Sequence, residues 1–290
     1  MHRGPVFRFA PSPNGELHLG HALSALVGFE RARALRGRFL LRIEDIDAGR
    51  TRAEFIAGIL ADLRWLGLRW AEPVLRQSQR MGAYAAAAAQ LKAMGLLYPC
   101  FATRAEIASA ARGTGCDPDG APLYPGLWRH APAAAIAERR GKGARFAWRL
   151  DMARAMAAVR PGLAGAELAF TELDEAGAPR TIPARPERWG DAIIVRKDVA
   201  TSYHLAVVVD DAWQGVTHVT RGADLLAATD LHRLLQLLLD LPAPLYHHHR
   251  LITDACGRKL AKSAGDTSLR ELRRQGLTPA DVRQLVGLVP

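Results

Sequence analysis

The sequence predicts an α/β protein built on a doubly wound parallel sheet, and three segments near its start support this fold class. Residues 6–10 and 39–43 are short apolar runs, typical of buried strands. The segment between them has apolar side chains at helical spacing, at Leu19, Leu23, Leu26 and Val27. A strand, a helix and a strand within about 40 residues form a βαβ unit. Such a unit implies parallel strands joined by a right-handed crossover.

The middle elements follow from the same periodicities. Residues 56–66 have the apolar pattern of an amphipathic helix, whereas residues 191–195 and 216–220 have the pattern of buried strands. Residues 203–209 are ambiguous, because their valines favour a strand although a buried helix also fits.

The C-terminal part is predicted to be mainly helical. A leucine-rich helix ends near Leu241, and either Asp224 or Asp230 is its predicted N-cap. Two short helices follow, one at Leu269–Arg274 and one after Thr278-Pro279, which is a favourable N-cap and N1 pair.

Changes in composition divide the chain into four predicted parts. Residues 1–98 form the first half of the sheet domain and residues 189–242 form the second half. Residues 99–188 form an inserted subdomain, because glycine and proline become frequent there. Residues 243–290 form a short C-terminal segment.

The bulk properties indicate a protein of the cytoplasm with an anionic partner. The chain has 290 residues, a net charge of +10 and three cysteines. A basic balance suits nucleic acid, although it also serves solubility alone. Three scattered cysteines do not make a disulfide framework, which favours a reducing compartment. No run of about 18 apolar residues and no signal-peptide pattern is present, so we expect no membrane association.

A first motif, His18-Leu19-Gly20-His21, stands where a turn leads into the first predicted helix. Helix N-termini attract phosphate, imidazoles donate hydrogen bonds to phosphate oxygens, and glycine leaves room for a base or ribose. The motif therefore predicts a nucleotide site. The alternatives are that the two histidines are half of a metal site or that they are ordinary surface residues.

A second motif, Lys259-Leu260-Ala261-Lys262-Ser263, is weak when taken alone, since most such stretches are solvated loops. Together with the first motif it favours a reaction that releases pyrophosphate from ATP. Ammonium groups on a mobile loop can follow charge onto the departing phosphates and lower the barrier.

Five stretches, in this order and spacing, resemble the class I glutamyl-tRNA synthetases. They are residues 8–21, 42–47, 203–211, 215–222 and 259–263, and the resemblance covers roughly residues 5 to 270. The resemblance implies the Rossmann-like catalytic core of class I aminoacyl-tRNA synthetases, with residues 99–188 as an acceptor-binding type of subdomain. The sequence ends at Pro290, so no anticodon-binding domain is expected.

That short length makes the chain similar to the glutamyl-Q tRNA(Asp) synthetases. This resemblance implies ATP-dependent, tRNA-independent activation of L-glutamate to glutamyl-adenylate. It further implies transfer of glutamate to the queuosine base of tRNA(Asp), with ATP and Mg²⁺ as the required small molecules. A monomer is expected.

The resemblance also implies roles for individual residues. Arg8 and Arg221 would pair with the side-chain carboxylate of glutamate, and Glu44 would bind its α-ammonium group. The remaining glutamate-binding residues would be Ala10, Ser12 and Tyr203. ATP would be bound by His18, Gly20, His21, Lys259, Lys262 and Ser263. The catalytic residues among these would be His18, His21, Lys259 and Lys262.

The inserted subdomain departs from the family pattern at a zinc site. Relatives often carry thiolates where Ala102 and Trp128 stand here, and Cys100 and Tyr124 alone cannot complete a tetrahedral site. We predict that zinc is lost and that apolar packing by Phe101 and Trp128 replaces it. Residues 247–249, three consecutive histidines, are predicted to be structural, because neighbouring side chains point in different directions.

Three other functions remain open from the sequence. A glutamyl-tRNA synthetase fragment would charge a tRNA 3′ end. A cofactor-making nucleotidyltransferase can carry the first motif on a similar sheet but needs no glutamate site. A non-catalytic tRNA-binding paralogue fits the basic charge but leaves the phosphate-handling motifs unexplained.

Overall fold

A computed structural model describes residues 4–113, 115–252 and 267–288. The strands are β1 (Val6–Phe9), β2 (Arg38–Ile43), β3 (Ala71–Arg76), β4 (Leu97–Cys100), β5 (Ala147–Leu150), β6 (Ala169–Leu173), β7 (Pro179–Pro183), β8 (Ile193–Val195), β9 (His218–Gly222) and β10 (Leu245–His249). The α-helices are α1 (Leu19–Ala34), α2 (Ala53–Trp65), α3 (Met81–Ala93), α4 (Arg104–Ala110), α5 (Ala133–Gly141), α6 (Met152–Val159), α7 (Tyr203–Gln214), α8 (Leu226–Leu238), α9 (Leu269–Arg274) and α10 (Pro279–Leu285).

The main sheet has seven strands in the order β3-β2-β1-β9-β10-β6-β7. Its strands pair in parallel except at the edge, where β7 runs antiparallel to β6. The strands β1, β2 and β3 follow one another outward on one side of the sheet. On the other side β9 and β10 lie next to β1, and β6 and β7, which come earlier in the chain, form the far edge. Strand order thus reverses between β1 and β9, which is where ligands of open α/β sheets bind. The predicted doubly wound parallel sheet is confirmed.

The alternation of side chains along β1 separates two packed layers. Phe7 and Phe9 face a core formed with α1, α2 and the C-terminal helices. Val6 faces the opposite core, which contains buried side chains of α7 and α8. Because successive strand residues point to opposite faces, Arg8 lies on the side of Val6, toward α7. Arg8 can therefore reach polar side chains of α7.

A second, three-stranded antiparallel sheet has the order β4-β5-β8. The strand expected within residues 191–195 is β8, and it belongs to this small sheet. Conversely, β6 and β7 lie within the predicted insertion 99–188 and yet extend the seven-stranded sheet. Each sheet therefore contains strands from more than one of the parts predicted from composition. The division of the chain into those parts stays a prediction.

Helix boundaries confirm two sequence predictions at the C-terminus. Helix α9 spans the predicted range, and Thr278 caps α10 with Pro279 in its first turn. The predicted cap of α8 was wrong, because the helix begins at Leu226 and Asp230 lies inside it. The Asp230 carboxylate forms an ion pair with Arg188 at 2.6 Å and so serves tertiary packing. Asp224 precedes the helix in a short 3₁₀ turn.

The ambiguous segment 203–209 forms the start of α7. The Ser202 side chain accepts a hydrogen bond from the backbone of Leu205 and caps this helix. Within the described ranges, no helix is long and apolar enough to cross a membrane.

Candidate active site

A cavity of about 530 Å³ opens where β1 and β9 end and α1 begins. Its wall includes all nine sequence-selected residues that the structure describes: Arg8, Ala10, Ser12, His18, Gly20, His21, Glu44, Tyr203 and Arg221. The remaining three, Lys259, Lys262 and Ser263, lie outside the described residues. The two predicted arginines, from distant parts of the chain, therefore border one small space.

Arg8 is held in the cavity wall by a buried acid on α7. Its Nε and Nη2 donate to the two carboxylate oxygens of Asp211, at 3.0 and 3.2 Å. The same carboxylate accepts from Arg42 Nη1 at 2.7 Å. Burial opposes ionisation of Asp211, but these two guanidiniums hold its pKa below the ordinary value. Arg8 is thus oriented by two points of contact before any ligand arrives.

Glu44 follows β2 and faces the same cavity. Its Oε1 accepts from Arg42 Nη2 at 3.2 Å. Burial raises the pKa of Glu44 above its ordinary value, although Arg42 and Arg8 act in the opposite direction. A cation that replaces lost solvation at this carboxylate would favour its ionised form.

Arg221 differs from Arg8 in the charge of its neighbours. It is only 4% exposed, and the side chains that it contacts by hydrogen bonds, His248, Tyr203, His232 and Thr229, are all uncharged groups. These contacts run from Nη2 to Thr229 Oγ1 (2.6 Å), Nη1 to His232 Nδ1 (3.2 Å), Nη1 to the Tyr203 hydroxyl (3.4 Å) and Nε to His248 Nε2 (3.2 Å). Among the described residues, no carboxylate lies within ion-pair distance of Arg221.

Burial disfavours the charged form of the histidines around Arg221. It lowers the pKa of His232 and His248 below the ordinary value, and the Arg221 charge lowers the pKa of both further. A buried guanidinium without a nearby carboxylate is costly to keep and attracts an anion. Arg221 is therefore a buried cation of the cavity wall whose charge the described part of the protein leaves largely uncompensated.

The first motif forms the start of α1 in an unusual way. His18 is the N-cap, and its Nδ1 accepts from the backbone N–H of Gly20 at 3.1 Å. The Nδ1 of His21 in turn accepts from the backbone N–H of His18 at 3.2 Å. Because Nδ1 is the acceptor in each ring, a neutral form of either ring carries its proton on Nε2. A side chain at position 20 would crowd this arrangement, since a Cβ there would lie 3.0 Å from Cε1 of His18.

The chain matches, over residues 6–289, the family model described as tRNA synthetases class I (E and Q), catalytic domain. It is 46% identical to the glutamyl-Q tRNA(Asp) synthetase of Rhodobacter capsulatus, across 98% of this chain and 100% of that protein. It is 40% identical to the protein of the same name from Symbiobacterium thermophilum, across 95% of this chain and 83% of that one.

The chain belongs to the class I tRNA synthetase family. It is an enzyme of the ligase type found in that family. Among solved structures, the glutamate-tRNA synthetase of Elizabethkingia anophelis matches with a TM-score of 0.76 and 25% identity. The match covers 98% of this chain, which spans 61% of the length of that protein.

The sequence did not predict several polar partners of the residues that line this cavity. Asp211 and Arg42 lay within stretches used for the resemblance but received no role, and Thr229, His232 and His248 were not considered for the site. One signal was available, because two adjacent acids follow an apolar segment at 210–211 and such acids need buried partners. No comparable signal marks the others.

The degenerate zinc positions of the synthetase come together in a small buried cluster. Cys100, Ala102 and Tyr124 pack against Trp128, and the Cys100 thiol donates to the Tyr124 hydroxyl at 3.3 Å. The rings of Phe101 and Trp128 lie 4.8 Å apart, as the predicted apolar packing requires. Among the described residues, no group of three His, Cys, Asp or Glu side chains could hold a metal ion.

The three consecutive histidines lie on β10 and face different partners. His247 Nδ1 lies 2.8 Å from the carbonyl of Leu173, whereas His248 contacts Arg221. His249 Nδ1 lies 2.8 Å from the carbonyl of Arg250. The prediction of divergent side chains is confirmed, and His248 contacts Arg221, which lines the cavity.

Proposed function

We propose that the chain activates L-glutamate with ATP, without tRNA, and transfers the glutamyl group to the queuosine base of tRNA(Asp). The observation that carries this proposal is the charge pattern of the cavity. Arg221 is a buried cation bordered by neutral groups, while Glu44 is a buried acid on the same wall. A ligand with a carboxylate at one end and an ammonium group at the other complements both.

Glutamate fits this pattern better than glutamine does. Its side-chain carboxylate would bind Arg221 and Arg8, and its α-ammonium group would bind Glu44. Glutamine would leave the Arg221 charge unpaired, so the protein would reject the neutral amide. Tyr203, Ser12 and Ala10 complete the wall that encloses the amino acid.

ATP would occupy the part of the cavity at the start of α1. Gly20 leaves space for the base, and His18 and His21 would face the phosphates. The α-carboxylate of glutamate attacks the α-phosphorus, the bond to the β-phosphate oxygen breaks, and pyrophosphate leaves. Lys259, Lys262 and Ser263 would contact the leaving group, and the protein would contribute alignment and charge stabilisation.

Mg²⁺ would arrive with the ATP phosphates and neutralise part of their charge when bound. The acids after β2 do not compete for it. Asp45 accepts from Arg76 and from both the backbone and the hydroxyl of Ser78, and Asp47 pairs with Arg196 at 3.3 Å. These contacts give both acids protein partners and favour a structural or ribose-side role for them over binding of Mg²⁺.

In the second step a hydroxyl of the queuosine cyclopentenediol would attack the glutamyl carbonyl. The new ester forms as the mixed anhydride breaks and AMP leaves. The net charge of +10 suits an RNA partner, and two relatives at 46% and 40% identity carry the name of this activity. We expect the chain to act in the cytoplasm, where its RNA substrate is.

Two assays test the proposal. The first measures glutamate-dependent exchange of pyrophosphate into ATP without RNA. The second follows labelled glutamate onto tRNA(Asp) with and without queuosine, and onto the 3′ end of tRNA(Glu). We expect exchange without RNA and transfer only to the queuosine-containing tRNA. Charging of a 3′ end would favour the synthetase alternative, and exchange independent of glutamate would favour the nucleotidyltransferase.

The Arg221→Ala variant tests whether the cavity is the site of glutamate binding. We expect the variant to weaken glutamate binding by roughly 2–5 kcal/mol, as for a lost charged contact, with little change in the KM for ATP. Arg180→Ala, which removes an exposed arginine of β7, is the matched control. Equal KM values for glutamate in both variants would remove Arg221 from the proposed site.

A further inference from the structure

Glu172 on β6 approaches Arg221 through His248. The carboxylate accepts from the backbone N–H of His248 at 2.7 Å, and its second oxygen lies 2.8 Å from Nδ1 of the same residue. Arg221 and His248 are register partners on the neighbouring strands β9 and β10. The side chains of Arg221, His248 and Glu172 have little exposure to solvent, and their contacts run in a continuous line across the three adjacent strands β9, β10 and β6.

The contacts determine which nitrogen of His248 carries the proton. An ionised carboxylate only accepts hydrogen bonds, so the proton of a neutral ring lies on Nδ1, beside Glu172. Burial opposes ionisation of Glu172, but the hydrogen bonds from His248 hold its pKa below the ordinary value. The lone pair of Nε2 then accepts from Nε of Arg221, which lies 3.2 Å away. Each donor in this series of hydrogen bonds faces an acceptor.

We propose that Glu172 and His248 are positioning residues for Arg221. The carboxylate of Glu172 fixes the tautomer of His248, and the ring holds the Nε side of the guanidinium, so that the Nη1 side meets Tyr203 at the cavity wall. This inference rests on the proposed function in one respect, namely that Arg221 binds the substrate carboxylate.

The indirect arrangement has a physical reason. Asp211 contacts Arg8 directly and compensates its charge at two points. A carboxylate placed in the same way on Arg221 would compete with the carboxylate of the substrate. A neutral imidazole gives orientation without a full opposing charge, while Glu172 stays one ring further away. The site thus contains one arginine whose Nε and Nη2 are paired with a carboxylate and one arginine without a direct carboxylate partner among the described residues.

Glu172→Gln tests the chain of contacts. The amide of glutamine can donate to Nδ1, which permits the tautomer with a proton on Nε2, facing the N–H of Arg221. Two donors, His248 Nε2 and Arg221 Nε, then face each other, so the guanidinium loses its contact at Nε and keeps those at Nη1 and Nη2. We expect the KM for glutamate in pyrophosphate exchange to rise roughly tenfold or more, as when a residue that orients a ligand-binding side chain is lost. The KM for ATP should be unchanged.

The matched control is Glu175→Gln. Glu175 is an exposed acid three residues along the chain, and its carboxylate lies 3.7 Å from Arg31 and from His247 rather than next to His248. It should leave both KM values unchanged. His248→Gln keeps an acceptor near the Arg221 Nε, so it should recover most of the affinity for glutamate that His248→Leu loses. Equal losses in these two His248 variants would overturn the proposal.

A spectroscopic measurement distinguishes a role of Glu172 and His248 in orienting Arg221 from a role in folding alone. Nitrogen-15 NMR of the histidine-labelled wild-type protein should show His248 neutral with its proton on Nδ1. A proton on Nε2 would overturn the proposal even if Glu172→Gln did not fold. Absence of glutamate-dependent exchange in the wild-type protein would instead remove the proposed function, whereas a normal KM for glutamate in a folded Glu172→Gln variant would remove this inference alone.

Discussion

Arg8 and Asp211 form a two-point ion pair between β1 and α7, although 203 residues separate them in the chain. Asp211 also accepts from Arg42, so one carboxylate compensates two buried guanidiniums. This relationship links the stability of the fold directly to the wall of the cavity.

Asp211→Asn should destabilise the protein strongly. Loss of one charge leaves Arg8 and Arg42 without their common counterion, and an uncompensated buried charge costs about 3–5 kcal/mol. Urea unfolding measures the effect. Glu138→Gln removes an exposed partner of Lys142 and should change the free energy of unfolding by less than about 1 kcal/mol. Similar values for both variants would contradict this account.

Glutamate binding should depend on pH through Glu44. Only the ionised carboxylate binds an ammonium group, and burial raises the pKa of Glu44 above 4.5. The kcat/KM for glutamate should therefore fall as pH decreases through that raised pKa, about tenfold per pH unit below it. Steady-state exchange between pH 4.5 and 7.5 checks this. An acid limb with the same midpoint in Glu44→Gln would assign the limb to another group.

Protein stability should decrease between pH 6.5 and pH 4 because of one partly buried histidine, His204. Burial, with a contribution from Arg221, lowers the pKa of His204 from 6.5 to about 4. The unfolded chain binds a proton in this range that the folded protein excludes, so the free energy of unfolding rises with pH there. His204 alone should account for about 3 kcal/mol across the full range.

His204→Phe should flatten this dependence, because it removes the titrating ring and keeps an aromatic side chain near Trp189. His130→Phe, at an exposed position, should leave the dependence as it is. Urea unfolding at intervals of half a pH unit distinguishes the two. An unchanged slope in His204→Phe would show that other groups dominate.

Gly20→Ala should impair catalysis more than folding. The added Cβ would lie 3.0 Å from His18 Cε1 and 3.1 Å from its Nδ1, so the ring must move and weaken its cap. Loss of the cap costs roughly 1 kcal/mol, whereas misplacement beside the phosphates should lower kcat roughly tenfold to a hundredfold. Gly82→Ala on α3, where the Cβ meets nothing within 4 Å, should retain wild-type kcat.

Zinc should be absent from the purified, untagged protein. Ala102 and Trp128 provide no thiolate, and the Cys100 thiol already donates to Tyr124. Elemental analysis should find far less than one zinc per chain. One stoichiometric zinc would show that other residues complete a site.

The sequence predicted the sheet and the cavity residues better than it predicted their supports. Strand periodicity and the turn before His18 are local patterns, so β1, α1 and β2 follow from residues near one another. The supporting contacts are long-range: Asp211 reaches Arg8 across the fold, and Glu172 reaches His248 through strand pairing. No periodicity encodes which buried acid meets which buried base, and β8 likewise joined a sheet that its own pattern does not specify.

The distance in sequence between Arg8 and Asp211 has a consequence during translation. A nascent chain whose first 100 residues have left the ribosome carries Arg8, Arg42 and Glu44 but not yet the acid that pairs the two arginines. Those guanidiniums then stay hydrated, and β1 and β2 cannot bury their inner face. Pairing of the two arginines therefore awaits synthesis of α7, and completion of the sheet awaits β9 and β10, which follow α7 in the chain, so the wall of the cavity forms late as the protein is made.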